Sequence, residues 1–139
     1  MVISIYGGSG SGKTTLATAL QQYFFNDGRG CYLLSGDDYP HRIPKRNDEE
    51  QLRVYKEAGE DGLRGYLGTK KEIDFARINE VLAAFHEGKD TITLRHLERE
   101  DGEISSEETD FSGTSVLLLE WTHGGSDDLH GVDLSVFLE

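Results

Sequence analysis

The stretch Val2-Ile3-Ser4-Ile5-Tyr6-Gly7-Gly8-Ser9-Gly10-Ser11-Gly12-Lys13-Thr14-Thr15 decides how the rest of the chain is read. Residues 2 to 6 are a short apolar run, the pattern of a buried strand, and residues 13 to 26 read as a helix with Leu16, Ala19, Leu20 and Tyr23 on one side. Between them Gly7 to Thr14 have the order Gly-x-x-x-x-Gly-Lys-Thr. Strand, glycine-rich loop and helix in that order make a phosphate cradle. Gly7, Gly10 and Gly12 let the backbone curl so that several N–H groups point inward, and the positive end of the helix faces the anion. Lys13 can reach the β and γ phosphates, and Thr14 can place its hydroxyl on a bridging Mg2+. The expected nucleotide-binding set is Gly8, Ser9, Gly10, Ser11, Gly12, Lys13, Thr14 and Thr15, with ATP and Mg2+ as ligands.

Outward from the loop, Asn26-Asp27-Gly28 stops the helix, and residues 31 to 35 read as a second strand, completing a βαβ unit and implying a parallel sheet. Asn47 with Glu50 three residues on resembles a capping box, predicting a helix to about Ala58 that Gly59 and Gly62 close. Asp74 opens another, with Phe75, Ile78, Leu82 and Phe85 on one face and Gly88 at its end. Alternation at Thr91-Ile92-Thr93-Leu94 and the turn signal Asp101-Gly102 predict a β-hairpin over about 91 to 109. Val116-Leu117-Leu118-Leu119-Glu120 is an apolar run ended by an acid, the pattern of a strand covered on both faces, and Val132 to Leu138 reads as a further strand. These elements predict a three-layer α/β/α fold, with a mainly parallel sheet and an inserted hairpin near the substrate side.

The 139 residues carry a formal net charge of -12, which repels a nucleic-acid backbone unless basic groups gather on one face. They gather only at His41-Arg42-Ile43-Pro44-Lys45-Arg46, a short island that includes Pro44 and comes directly after Pro40, so a small ligand is expected and a nucleic acid is not. No apolar run approaches the roughly 20 residues that cross a bilayer, and a cytoplasmic protein of one domain, residues 1 to 139, is expected. The single cysteine, Cys31, reads as a buried strand thiol.

Acids at the carboxyl ends of strands gather around ligands in open α/β sheets. Glu120 is therefore a candidate, with Thr14, for holding Mg2+ or its water. Ser35-Gly36-Asp37-Asp38-Tyr39 comes after the second strand, so its acids should share the rim with the loop, where one can accept the proton of an attacking hydroxyl. Arg42 and Arg46 can clamp an anionic group by paired hydrogen bonds, although a solvated loop is the ordinary place for such charges. His96, beside Arg95 and near Arg99 on the hairpin, and His123, just past Glu120, complete the candidate substrate residues with Asp38 and Tyr39. The histidines lack the mutual spacing of a zinc site.

Gly7 to Thr14, Gly36-Asp37-Asp38-Tyr39, and Asp110-Phe111-Ser112 before Val116 to Glu120 together resemble the uridine kinase and phosphoribulokinase group of P-loop kinases, through most of the chain. The resemblance implies transfer of the ATP γ-phosphoryl group to a hydroxyl of a small metabolite. It implies Asp37 as catalytic base and Glu120 near magnesium, beside the Lys13 that the loop itself places at the phosphates. Two departures stand out. Uridine kinases carry a Tyr-Asp-Phe type segment on the hairpin where this chain has Leu94-Arg95-His96-Leu97, and the group's arginine-bearing lid would come after the strand resembling Val132 to Leu138, whereas the sequence stops at Glu139. An abbreviated kinase core is expected, with a nucleotide- or phosphate-binding module of little or no activity, or an adenylylsulfate kinase-like enzyme with an anionic acceptor, as alternatives. The chain has no Asn-Lys-x-Asp segment of a GTPase, and Leu34-Ser35-Gly36-Asp37 lies too close behind the loop to be a transporter signature.

Overall fold

The computed structural model of the protein describes residues 1–98 and 103–139. Four parallel strands form the central sheet: β1 (Val2–Gly7), β2 (Gly30–Ser35), β5 (Thr114–Glu120) and β6 (Leu134–Leu138), in the order β2-β5-β1-β6. The hairpin strands β3 (Thr91–Glu98) and β4 (Glu103–Asp110) form a separate antiparallel pair. The expected turn at Asp101-Gly102 lies outside the described residues.

Period-two alternation divides the apolar residues of β1 and β5 between two layers. Ile3, Ile5, Val116 and Leu118 face helix α1 (Lys13–Asn26), joining Ala17 and Phe24 in one core. Val2, Leu117 and Leu119 face the other way, into a larger core with Tyr39, Trp121, the hairpin residues Ile92 and Leu94, and Phe75, Ile78, Val81 and Leu82 of helix α3 (Phe75–His86). The result is the expected α/β/α layering. Asp74 caps α3, its Oδ1 accepting from the Arg77 N–H at 3.2 Å.

Four sequence expectations shift. The inner stripe of α1 is Leu16, Ala17, Leu20 and Phe24, while Ala19 and Tyr23 are exposed, because the sheet meets the helix nearly a residue further round than its apolar letters suggest. Helix α2 (Pro44–Arg64) begins at Pro44, which suits the first turn by its fixed φ and missing N–H, so Asn47 lies inside the helix and is no cap. Gly59, at φ 67° and ψ -157°, breaks α2 where a stop was expected, although a further helical segment continues past it through Gly62. The last strand starts at Leu134, two residues later than expected. Cys31 is half-buried in β2 and burial pushes its thiol pKa up, as suits a structural thiol.

Leu118 is fully buried at the centre of the sheet, between α1 and its strand neighbours. Leu118→Ala is expected to lower the unfolding free energy by about 2–5 kcal/mol, as cavity-forming truncations do, and urea denaturation followed by circular dichroism measures it.

Candidate functional site

The parallel register sets the geometry of the rim. Glu120 of β5 lies opposite Ile5 of β1 on one side and Ser35 of β2 on the other, so three strands end together. The segments leaving these strands therefore stand at one edge: the glycine-rich loop after β1, a 3-10 turn (Gly36–Asp38) after β2, and Trp121 to Gly125 after β5.

The loop is folded as a cradle. Gly7, Gly10 and Gly12 have positive φ, and at Gly7 any Cβ would fall 2.2 Å from the Leu138 carbonyl oxygen, so only glycine fits between the loop and β6. Gly12 begins α1 with no side-chain cap, leaving the helix's first N–H groups, among them those of Thr14 and Thr15, available to an anion. Lys13 is 9% exposed and its Nζ donates to the Gly8 carbonyl at 2.8 Å, folding over the loop that it would share with phosphate. Ser11 Oγ is buried with no hydrogen-bond partner among the described residues. An inward-turned ammonium, uncapped helix N–H groups and an orphan hydroxyl are the donors and space a polyphosphate requires, so the residues fit the phosphates of a nucleoside triphosphate such as ATP.

Thr14 Oγ1 donates to Glu120 Oε1 at 3.2 Å across the rim. Both are exposed enough to exchange this contact for a cation. A hydroxyl and one carboxylate suit Mg2+, which keeps several waters and takes further oxygens from phosphate. Among the described residues no group of three or more His, Cys, Asp or Glu forms a metal cluster, so any ion would rely on such shared coordination.

Beside the cradle lies a cleft of about 210 Å3, lined by residues that include Asp37, Asn47, Asp48, Glu72, Leu97, Trp121 and His123. Asp37 is exposed at its mouth. Trp121 is 3% exposed, packs against Phe75 at 5.6 Å between ring centroids, and meets His123 edge-on at 5.3 Å. Its indole lies so close to Gly36 that a Cβ there would fall 2.2 Å away, which explains the glycine immediately before Asp37.

Of the candidate site residues, Lys13, Thr14 and Glu120 converge on the cradle, and Asp37 and His123 on the cleft. Gly8 to Gly12 and Thr15 form the cradle itself, and the other acceptor candidates take different places. Tyr39 is fully buried in the core, its hydroxyl accepting from the Arg95 backbone N–H at 3.4 Å, and burial pushes its pKa up. Asp38 is half-buried in the 3-10 turn beside it. Arg42 donates to the Tyr66 hydroxyl at 3.2 Å and the Lys71 carbonyl at 3.3 Å, a structural role, and Arg46 is exposed on the first turn of α2. His96 pairs with Glu107 at 3.3 Å on the hairpin, while its neighbour Leu97, on the opposite strand face, lines the cleft. Arg95 is 9% exposed and held by Asp74 and the Pro40 carbonyl, and burial lowers its pKa. Arg99 lies outside the described residues. The sequence pattern marks Asn47 as a cap and does not single out Glu72, Leu97 or Trp121. Only Trp121 leaves a signal, as the one tryptophan, directly after the strand-ending acid.

A cradle on the first strand, an acid on the adjoining strand end and a separate pocket beside a second acid define a P-loop kinase. The chain belongs to the Phosphoribulokinase / Uridine kinase family, whose model matches residues 2–139. It is 91% identical over its 139 residues to the bifunctional alpha-galactosidase/sucrose kinase AgaSK of Mediterraneibacter gnavus, covering all of this chain and 15% of that protein. It is 52% identical over 42 residues to adenylyl-sulfate kinase 1, chloroplastic, of Arabidopsis thaliana, covering 30% of this chain and 15% of that protein. The chain thus spans a small part of these curated relatives. In fold it is similar to a possible uridine kinase from Bacillus stearothermophilus (TM-score 0.73, 22% identity, 100% of this chain and 70% of that one). It is likewise similar to phosphoribulokinase from Rhodobacter spheroides (TM-score 0.74, 18% identity, 98% and 50%). No helix among the described residues is long and apolar enough to cross a membrane.

Lys13→Ala removes the one ammonium folded into the cradle, and is expected to weaken Mg-ATP binding by about tenfold or more, read as Kd by titration calorimetry.

Proposed function

We propose that this chain carries an ATP-dependent kinase site that phosphorylates a hydroxyl of a neutral sugar. The observation that carries the acceptor class is the cleft. Among the described residues its lining contains the carboxylates of Asp37 and Asp48, the buried carboxylate of Glu72, an amide from Asn47, and an aromatic wall of Trp121 and His123, and no lysine or arginine. Such a set repels a phosphorylated or sulfated acceptor and suits a polyhydroxyl one, whose many O–H groups donate to carboxylates and whose C–H faces rest on an aromatic ring. That favours a sugar over the sugar phosphate of a phosphoribulokinase or the anion of an adenylylsulfate kinase. The sucrose kinase activity named for the 91% identical relative agrees with this chemistry.

In this reading Asp37 takes the proton of the acceptor hydroxyl at the cleft mouth as the oxygen forms its bond to the γ-phosphorus. The bond from γ-phosphorus to the bridging oxygen breaks, and ADP leaves with the electron pair. Lys13 and the uncapped N–H groups of α1 hold the phosphates and spread their charge. Thr14 and Glu120 are the oxygen donors for Mg2+, which when bound neutralises phosphate charge. A nucleotide- or phosphate-holding module without transfer would use the same cradle but leave the acidic cleft without a role, which is why the kinase reading is preferred.

Asp37→Asn keeps the shape of the side chain and removes its basicity. It is expected to lower kcat for sucrose phosphorylation by roughly 10^2 to 10^4-fold while ATP binding stays intact, measured by coupled ADP release and calorimetry. Undiminished turnover in this variant would remove Asp37 as the base, and a wild-type protein that turned over a phosphorylated sugar in preference to a neutral one would remove the acceptor class.

A further inference from the structure

We infer that Glu72, which stands outside the phosphate cradle, is a positioning residue that locks the acceptor wall of the cleft. The inference deepens the kinase reading above, since the wall it locks is the one assigned there to the sugar.

Glu72 is 8% exposed, and among the described residues no lysine, arginine or histidine forms an ion pair with it. A carboxylate is costly to bury unless its oxygens are hydrogen-bonded, and here three N–H donors supply the bonds. Oε2 accepts from Asn47 Nδ2 at 3.1 Å and from Gln51 Nε2 at 3.0 Å, and Oε1 accepts from the Gly68 backbone N–H at 2.9 Å. Its own backbone is fixed as well, because the Glu72 carbonyl accepts from the His41 N–H at 2.9 Å, beside the bridge between Pro40 and Ile73. The side chain therefore ties α2 to the loop after it, and the backbone carbonyl of the same residue ties that loop to the segment beyond the 3-10 turn.

From Glu72 two lines of contact run into the cleft. The first is short: Asn47 lines the cleft, and its amide is held from both ends, by Glu72 and by the Tyr66 hydroxyl donating to Asn47 Oδ1 at 2.6 Å. The second passes through packing. Gly68, pinned by Glu72 at φ 72°, lies so close to His123 that a Cβ would fall 2.8 Å from ring atoms Cε1 and Nδ1. His123 meets Trp121 edge-on, Trp121 abuts Gly36, and Gly36 precedes Asp37. The buried carboxylate thus sets, through backbone and rings, the wall facing the acceptor and the place of the proposed base.

Glu72→Gln replaces a carboxylate that only accepts by an amide that must turn an N–H2 toward one of the same donors. Trp121 is the sole tryptophan, so acrylamide quenching of its fluorescence reads the wall directly, with no substrate present. In a variant shown by circular dichroism to be folded, the quenching constant is expected to rise roughly threefold or more as the wall loosens. With sucrose as the acceptor, KM is expected to rise about tenfold, with a smaller change in kcat and the KM for ATP within about twofold of wild type. Wild-type quenching in folded Glu72→Gln would overturn the inference, as would equal losses for sucrose and ATP. If that variant does not fold, Gln51→Leu removes one of the three donors to Glu72 without altering a residue of the cleft lining. The same rise in Trp121 quenching is then expected, and its absence overturns the inference. Failure of the wild-type protein to phosphorylate any neutral sugar would instead remove the acceptor class proposed above, while the quenching comparison still decides the role of Glu72.

Discussion

The pairing of β1 with β5 is the constraint on which the candidate site depends. With Val2 opposite Leu117 and Ile5 opposite Glu120, the two strands run flush, and the loop leaving β1 rises beside the acid that ends β5. Parallel strands hold that register because every residue of the apolar run is committed to one face or the other. A slip of one residue would carry Leu117 and Leu119 into the α1 core and Val116 and Leu118 out of it. The 3.2 Å contact from Thr14 to Glu120 is thus a result of hydrophobic packing two layers below it. It would be lost with the register long before either side chain was changed.

Much of this was legible locally. The cradle is written in consecutive residues, because each glycine answers a backbone requirement at its own position, and the β5 run announces both its burial and its terminal acid. Asp74 as a cap and the hairpin over 91 to 109 were equally local. The cleft was not. Glu72 comes directly after Lys70 and Lys71 and reads as surface charge, and Asn47 three residues before Glu50 reads as a cap, yet the docking of α2 and the loop after it turns both inward. Gly36 owes its place to the indole of Trp121, far along the chain, which no local pattern reveals. Residues whose role is set by their own φ or by strand period could be found, and those whose role is set by what packs upon them could not.

That division also separates two kinds of chemistry. The cradle handles a ligand part common to every nucleoside triphosphate, so backbone N–H groups and one lysine suffice, and these tolerate little variation in geometry. In the proposed reading the cleft must recognise one acceptor among many, and it is built from side chains on α2, the loop after it, the hairpin and the segment after β5. Selectivity is therefore drawn from parts of the chain far apart in sequence, and it requires something to keep them in fixed relation.

A network of neutral amides and hydroxyls could in principle do this, but Asn47, Gln51 and Tyr66 are side chains with rotatable ends, each able to satisfy itself in more than one way. A buried carboxylate is more demanding. It accepts and never donates while ionised, so every neighbour must turn an N–H or O–H toward it, and that requirement orients Asn47 Nδ2 toward Glu72 and leaves Asn47 Oδ1 for Tyr66. One buried acid thereby removes the ambiguity of the amide next to it, at a cost in desolvation that three donors offset. Its negative charge lies at the cleft as well, adding to Asp37 and Asp48, so in the proposed reading the group that orders the wall would also add to the potential that turns anionic acceptors away.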